Sequence, residues 1–76
     1  MTEITKLDVR GLGCPVPILR ANRVIKELIP GDTLEVLATD SDAPHDFKMF
    51  CETTGHKLLE SFDRDGIFTI RIEVTS

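Results

Sequence analysis

Residues Ile4 to Val9, three apolar positions set among polar ones, read as a first strand, closed by the loop from Gly11 to Gly13. From Pro15 to Leu28 the spacing changes. Ile18, Ala21, Val24, Ile25 and Leu28 share one side of a helix turning ~100° per residue, and Pro30-Gly31 stops it. A period of two runs over Thr33 to Ala38, with Leu34, Val36 and Ala38 on one face of a second strand. The polar turn TDSDAP then opens a second helix, with Asp42 as its cap and Pro44 just inside the first turn. Phe47, Phe50, Cys51 and Thr54 follow at i, i+3, i+4 and i+7, a stripe facing the core, and Gly55 ends the helix. Lys57 to Phe62 reads as a third strand and Asp65-Gly66 as a hairpin turn. The fourth strand sets Phe68, Ile70, Ile72 and Val74 against Ile67, Thr69, Arg71 and Glu73.

The predicted order is therefore β-α-β-α-β-β, an α+β fold. Right-handed crossovers put both helices on one face of a four-stranded mixed sheet, a two-layer α/β sandwich. The other sheet face should be largely polar, carrying Glu35, Thr69, Arg71 and Glu73. No linker, repeat or low-complexity run interrupts the chain, so one domain is expected over residues 1–76.

Charge narrows the choice of partners. The formal net charge of -4 argues against direct nucleic-acid binding, which depends on a basic surface. There is no Trp or Tyr to stack on bases, and the four Phe all fall where a core would want them. No stretch approaches the ~20 apolar residues that span a bilayer. The N-terminal MTEITKLDVR lacks a basic segment followed by an apolar one, so a cytoplasmic location is the default expectation. Two cysteines, Cys14 and Cys51, are too few for a disulfide framework, although a single bridge between them stays open. Cys14, His45, Cys51 and His56 show no metal-ligand spacing, so no metal site and no cofactor are expected.

The stretch GLGCPVPIL concentrates the candidate chemistry. Its spacing places Cys14 at the cap of the first helix, where Ser, Thr, Asp or Asn normally stands. Pro15 falls at the first helical position, where a missing N–H costs little, and biases Cys14 toward extended backbone. Pro17 also falls in the first turn. This leaves the N–H groups of Val16 and Ile18 free to face the sulfur, with the positive end of the helix dipole behind them. Both effects favour thiolate over thiol. Gly11 and Gly13 keep bulk away from the sulfur. Cys14, supported by Gly13, Pro15, Val16 and Pro17, is thus the candidate reactive group, whereas Cys51, on the Phe47–Phe50 stripe, reads as core.

The same helix offers a docking surface. Val16 and Leu19 lie off the core-facing side and point outward beside Arg20 and Arg23, with Arg10 in the preceding loop. Exposed apolar residues and arginines on an otherwise acidic chain suit a partner with an acidic rim.

LDVRGLGCPVPILRANRVIKEL, followed by PGDTLEVLATD, resembles the TusA/SirA-like family of small sulfur-carrier proteins, and TDSDAPHDFKMFCETTGHKLLE extends the likeness over nearly the whole chain. The family's Cys-Pro-x-Pro motif is matched by Cys14, Pro15, Val16 and Pro17. The resemblance implies that Cys14 receives sulfane sulfur from a cysteine desulfurase or a rhodanese-like donor. The sulfur would be held as a persulfide, or in some members as a bound thiosulfonate, and passed to an acceptor protein. It implies roles in tRNA thiolation, cofactor assembly or sulfur oxidation, for a carrier and co-substrate that needs no cofactor. Asp40 and Asp46 match acidic positions common in the family and serve equally well as turn and helix-start residues. Nothing in the sequence demands a dimer. Two alternatives remain: a thiol-redox protein using Cys14 and Cys51, and a regulatory or RNA-binding module.

Overall fold

The computed structural model describes residues 4–75, so residues 1–3 and 76 of the expected domain lie outside the described residues. Its elements are β1 (Ile4–Val9), α1 (Val16–Ile25), β2 (Thr33–Ala38), α2 (Ala43–Thr54), β3 (Lys57–Arg64) and β4 (Ile67–Glu73). The sheet order is β1-β2-β4-β3. β1 and β2 run parallel with Leu7 beside Val36 and Val9 beside Ala38, while β4 is antiparallel to β2 and to β3. α1 packs on β1 and β2, α2 packs on β3 and β4, and the helices touch each other. The α+β sandwich expected from the sequence is the fold observed.

Alternation decides which side of the sheet is buried. Val9, Leu34, Val36, Ala38, Ile70 and Ile72 face the helices and are fully buried. From above they meet Ala21 and Ile25 of α1 and Ala43, Phe47 and Cys51 of α2. Pro17 is also buried, adding the second motif proline to the inner face of α1. That helix ends at Ile25 rather than Leu28. Glu27 N–H donates to Val24 O and Leu28 N–H to Ile25 O, both at 3.0 Å, a tightening that satisfies the last carbonyls without another α-helical turn. Leu28 still packs against the core. At the other helix, Gly55 closes α2 in the left-handed region (φ 87°), as its sequence position suggests.

The uncovered sheet face is less polar than expected. Arg71 Nε donates to Glu35 Oε1 at 2.9 Å, and its guanidinium also pairs with Glu60. Leu37, Phe62 and Ile67 stand beside this network. Phe62, 40% exposed, is therefore not a core residue, whereas Phe47 is fully buried. The cause is an irregularity between Leu58 and Glu60 that puts an extra residue into β3. Side chains alternate with period two, so one inserted residue turns every later one to the opposite face. β3 also runs on to Arg64 and meets β4 through Asp65 and Gly66, both with positive φ, the geometry of a tight hairpin.

Candidate functional site at the Cys14 loop

Parallel neighbours deliver their carboxyl ends to the same edge of a sheet, so the loops after β1 and β2 meet. Two side chains from the second loop hold the first. Gly11 N–H donates to Thr39 Oγ1 and Cys14 N–H donates to Asp40 Oδ2, each at 2.8 Å. Gly11 has φ 80°, a conformation that side chains with a Cβ rarely adopt. The other Asp40 oxygen accepts from Asp42 N–H at 3.2 Å, and Asp40 O accepts from Ala43 N–H at 3.0 Å. One aspartate thus joins the cysteine loop to the start of α2. Thr39 was not singled out by sequence reasoning; the signal was available in the pairing of β1 with β2.

Cys14 is exposed and its thiol is free. It stands beside a shallow cleft of about 370 Å³ between the helices, whose walls include Pro15, Ile18, Asp46, Met49 and Phe50. The expected cap geometry is not what forms. The Cys14–Pro15 peptide is cis, and Pro15 takes the cap position of α1, with no side-chain cap bond. Val16 N–H, expected to be free, donates to Gly13 O at 3.0 Å, and Leu19 N–H donates to Pro15 O at 3.1 Å. The motif stiffens the helix start, yet its sulfur does not serve as the cap.

Electrostatics reverse the expected thiolate preference. Hydrogen bonding to the Asp46 carboxylate raises the Cys14 pKa, reinforced by desolvation and by repulsion from Asp46, Asp40 and Asp42. The nearest fixed charges are negative, and they oppose the dipole of α1. Alkylation by neutral iodoacetamide should therefore reach half its maximal rate above pH 9.0, the ordinary value for the thiol. A midpoint below that value, measured by stopped-flow or mass spectrometry, would contradict this arrangement. Burial alone pushes the Cys51 thiol up to about 11.

The residues expected to form a docking surface separate into two groups. Leu19 is 61% exposed, and Arg20 and Arg23 are exposed on the same helix. Val16 is half-buried rather than outward. Arg10 is engaged locally, its Nη2 2.8 Å from Asp8 Oδ2 and its Nε 2.9 Å from Asp8 Oδ1, and this pairing lowers Asp8 to about 2. The histidines stay apart from the thiol. His45 is exposed, and His56 Nδ1 accepts from Thr75 N–H at 3.1 Å, tying the end of β4 to the end of α2.

Known proteins share this architecture. A crystal structure of the SirA-like protein from Desulfitobacterium hafniense superposes with a TM-score of 0.83, at 25% identity, over 96% of this chain and 99% of that one. A relative in Neisseria meningitidis serogroup A is 52% identical over 67 residues, covering 88% of this chain and 90% of its own length. The sulfur carrier protein TusA of Allochromatium vinosum is 41% identical over 68 residues, with 90% of each chain covered. The family model described as Sulfurtransferase TusA matches residues 5–74. With the fold, the Cys-Pro-x-Pro loop and these likenesses in agreement, the chain belongs to the TusA family.

Proposed function

We propose that this sulfur carrier holds sulfane sulfur on Cys14 as a persulfide, taking it from a donor protein and passing it to an acceptor. The observation that carries this reading is the placement of Cys14. It is an exposed free thiol on a loop anchored through its own N–H to Asp40 and through Gly11 to Thr39. Such a sulfur can be reached by another protein's cysteine without rearrangement of the loop.

The Cys14 sulfur attacks the outer sulfur of the donor persulfide, and the bond between the donor's two sulfurs breaks. The donor thiolate leaves and takes up the proton given up by Cys14. Unloading is the same step with the acceptor's thiolate as the attacking group. A cysteine desulfurase or a rhodanese-like protein supplies donor chemistry of this kind. Thiolation of tRNA, cofactor assembly and sulfur oxidation are the candidate destinations. A cytoplasmic setting, where thiols stay reduced, suits a site that depends on a free thiol.

Intact-mass spectrometry after incubation with a desulfurase and cysteine tests the proposal. A gain of one sulfur, about 32 Da, on Cys14 is expected, as for an accessible thiol accepting sulfur. No gain from any persulfide donor would refute it. Leu19, Arg20 and Arg23 form the docking surface. Arg20→Glu with Arg23→Glu should slow loading by the protein donor about tenfold at low salt, the range expected for steering charges, while alkylation of the free thiol stays unchanged. Equal loading rates would remove these arginines from the interface.

A thiol-redox role is less well supported. Cys51 is 5% exposed and its thiol is pushed up by burial, so it is poorly placed to resolve a disulfide on Cys14.

A further inference from the structure

A positively charged site would welcome any anionic sulfur species, yet the cleft beside Cys14 has the opposite character. Asp46 lines it together with Cys14, and Asp40 holds the Cys14 amide. Asp42 is tied to Asp40 through its N–H. Among the described residues that line the cleft there is no lysine or arginine; its other walls are apolar or hydroxyl-bearing. A group added to Cys14 therefore enters a field of carboxylates, with no cation among the described residues lining the cleft to offset it.

We propose that Asp46, with Asp40 and Asp42, biases the Cys14 site toward sulfur carried as a persulfide and against sulfur oxyanions. The proposal rests on Cys14 as the carrier sulfur and goes beyond that reading by naming the cargo. A hydropersulfide is a weak acid. In a field of negative charge it can bind a proton and become neutral. A bound thiosulfonate is the anion of a strong acid and has no such escape. The same field also acts before the bond forms, because a dianionic donor must approach the sulfur past the carboxylates, while a neutral disulfide need not.

Paired reagents separate this effect from general thiol reactivity. Tetrathionate is a dianion: a Cys14 thiolate attacks one inner sulfur, the central S–S bond breaks, thiosulfate leaves, and Cys14 keeps a thiosulfonate group. Dithiodipyridine is neutral and undergoes the analogous exchange, releasing a thiopyridone. The ratio of the two rates cancels the fraction of Cys14 that is thiolate, so a shifted titration cannot mimic the result. Asp46→Asn should raise the tetrathionate-to-dithiodipyridine ratio about threefold to tenfold at low salt, as expected from removing one charge several ångströms from a dianion's path. The gain should shrink in strong salt. Asp42→Asn, at an exposed position, should raise the ratio in the same direction and guards against a folding defect in the first variant. An unchanged ratio in both variants, with thermal unfolding like the wild type, overturns the proposal. So does a wild-type ratio equal to that of a small uncharged thiol. Failure of the carrier reading shows elsewhere, as wild-type protein that takes no sulfur from a persulfide donor.

Discussion

Cys14→Ser abolishes sulfur loading, whereas Cys51→Ala leaves it within about twofold: that is the expected outcome when each variant is incubated with a persulfide donor and weighed intact. A hydroxyl is far less nucleophilic toward sulfur and cannot hold a sulfur as a persulfide, so the Cys14 variant retains the fold but loses the group that reacts. Cys51 lies on the buried face of α2, with its thiol raised by desolvation. Removing its sulfur leaves a small cavity costing roughly 1 kcal/mol, at the mild end for core truncation. The two cysteines therefore differ in position rather than in kind, one exposed on a loop and one buried on a helix. Loading that survives Cys14→Ser would place the carrier sulfur elsewhere. Loading that disappears in a folded Cys51→Ala protein would restore the two-cysteine redox reading.

The contrast between the cysteines was visible in the sequence because it follows from local spacing. Cys51 lies one turn from Phe47, and a helix with that stripe has one way to face a sheet. The alternation of Ile70 and Ile72 with Arg71 assigned the faces of β4 in the same manner. The electrostatic setting of Cys14 was less accessible. It depends on Asp40, 26 residues away, reaching the Cys14 N–H, and on Asp46 approaching from another helix. The residues that follow the cysteine, taken alone, foretold free amides and a lowered pKa. The chain spent the Val16 amide on Gly13 O and supplied carboxylates from the neighbouring loop. Phe62 shows a similar limit. Its hydrophobicity argued for the core, but the inserted residue between Leu58 and Glu60 reversed its face, and a one-residue irregularity leaves little trace in composition.

Those two phenylalanine environments lead to a prediction about stability. Phe47→Ala should lower stability by about 3–5 kcal/mol, and Phe62→Ala by less than about 1 kcal/mol. Phe47 is fully buried where α2 meets the sheet, and its ring packs edge-on against Phe50 at 6.3 Å between centroids. A domain of this size has roughly 4–11 kcal/mol in total, so the first change removes a large share and the second a minor one. With a urea slope of about 1 kcal/mol per molar, the Phe47 variant's midpoint should fall by about 3–5 M, or the protein should already be unfolded in buffer. A fall below about 1 M would mean that α2 is not held by this side chain. The same contact bears on the site. Asp46 immediately precedes Phe47 on α2, so the ring that fixes the helix on the sheet also fixes the carboxylate beside Cys14. Any milder substitution, such as Phe47→Leu, that loosens α2 while preserving the fold should then weaken the discrimination between tetrathionate and dithiodipyridine, although residue 47 contacts neither reagent. Discrimination that stays at the wild-type value in a measurably loosened helix would show that the position of Asp46 is set from the loop side, through Asp40 and Asp42, rather than from the core.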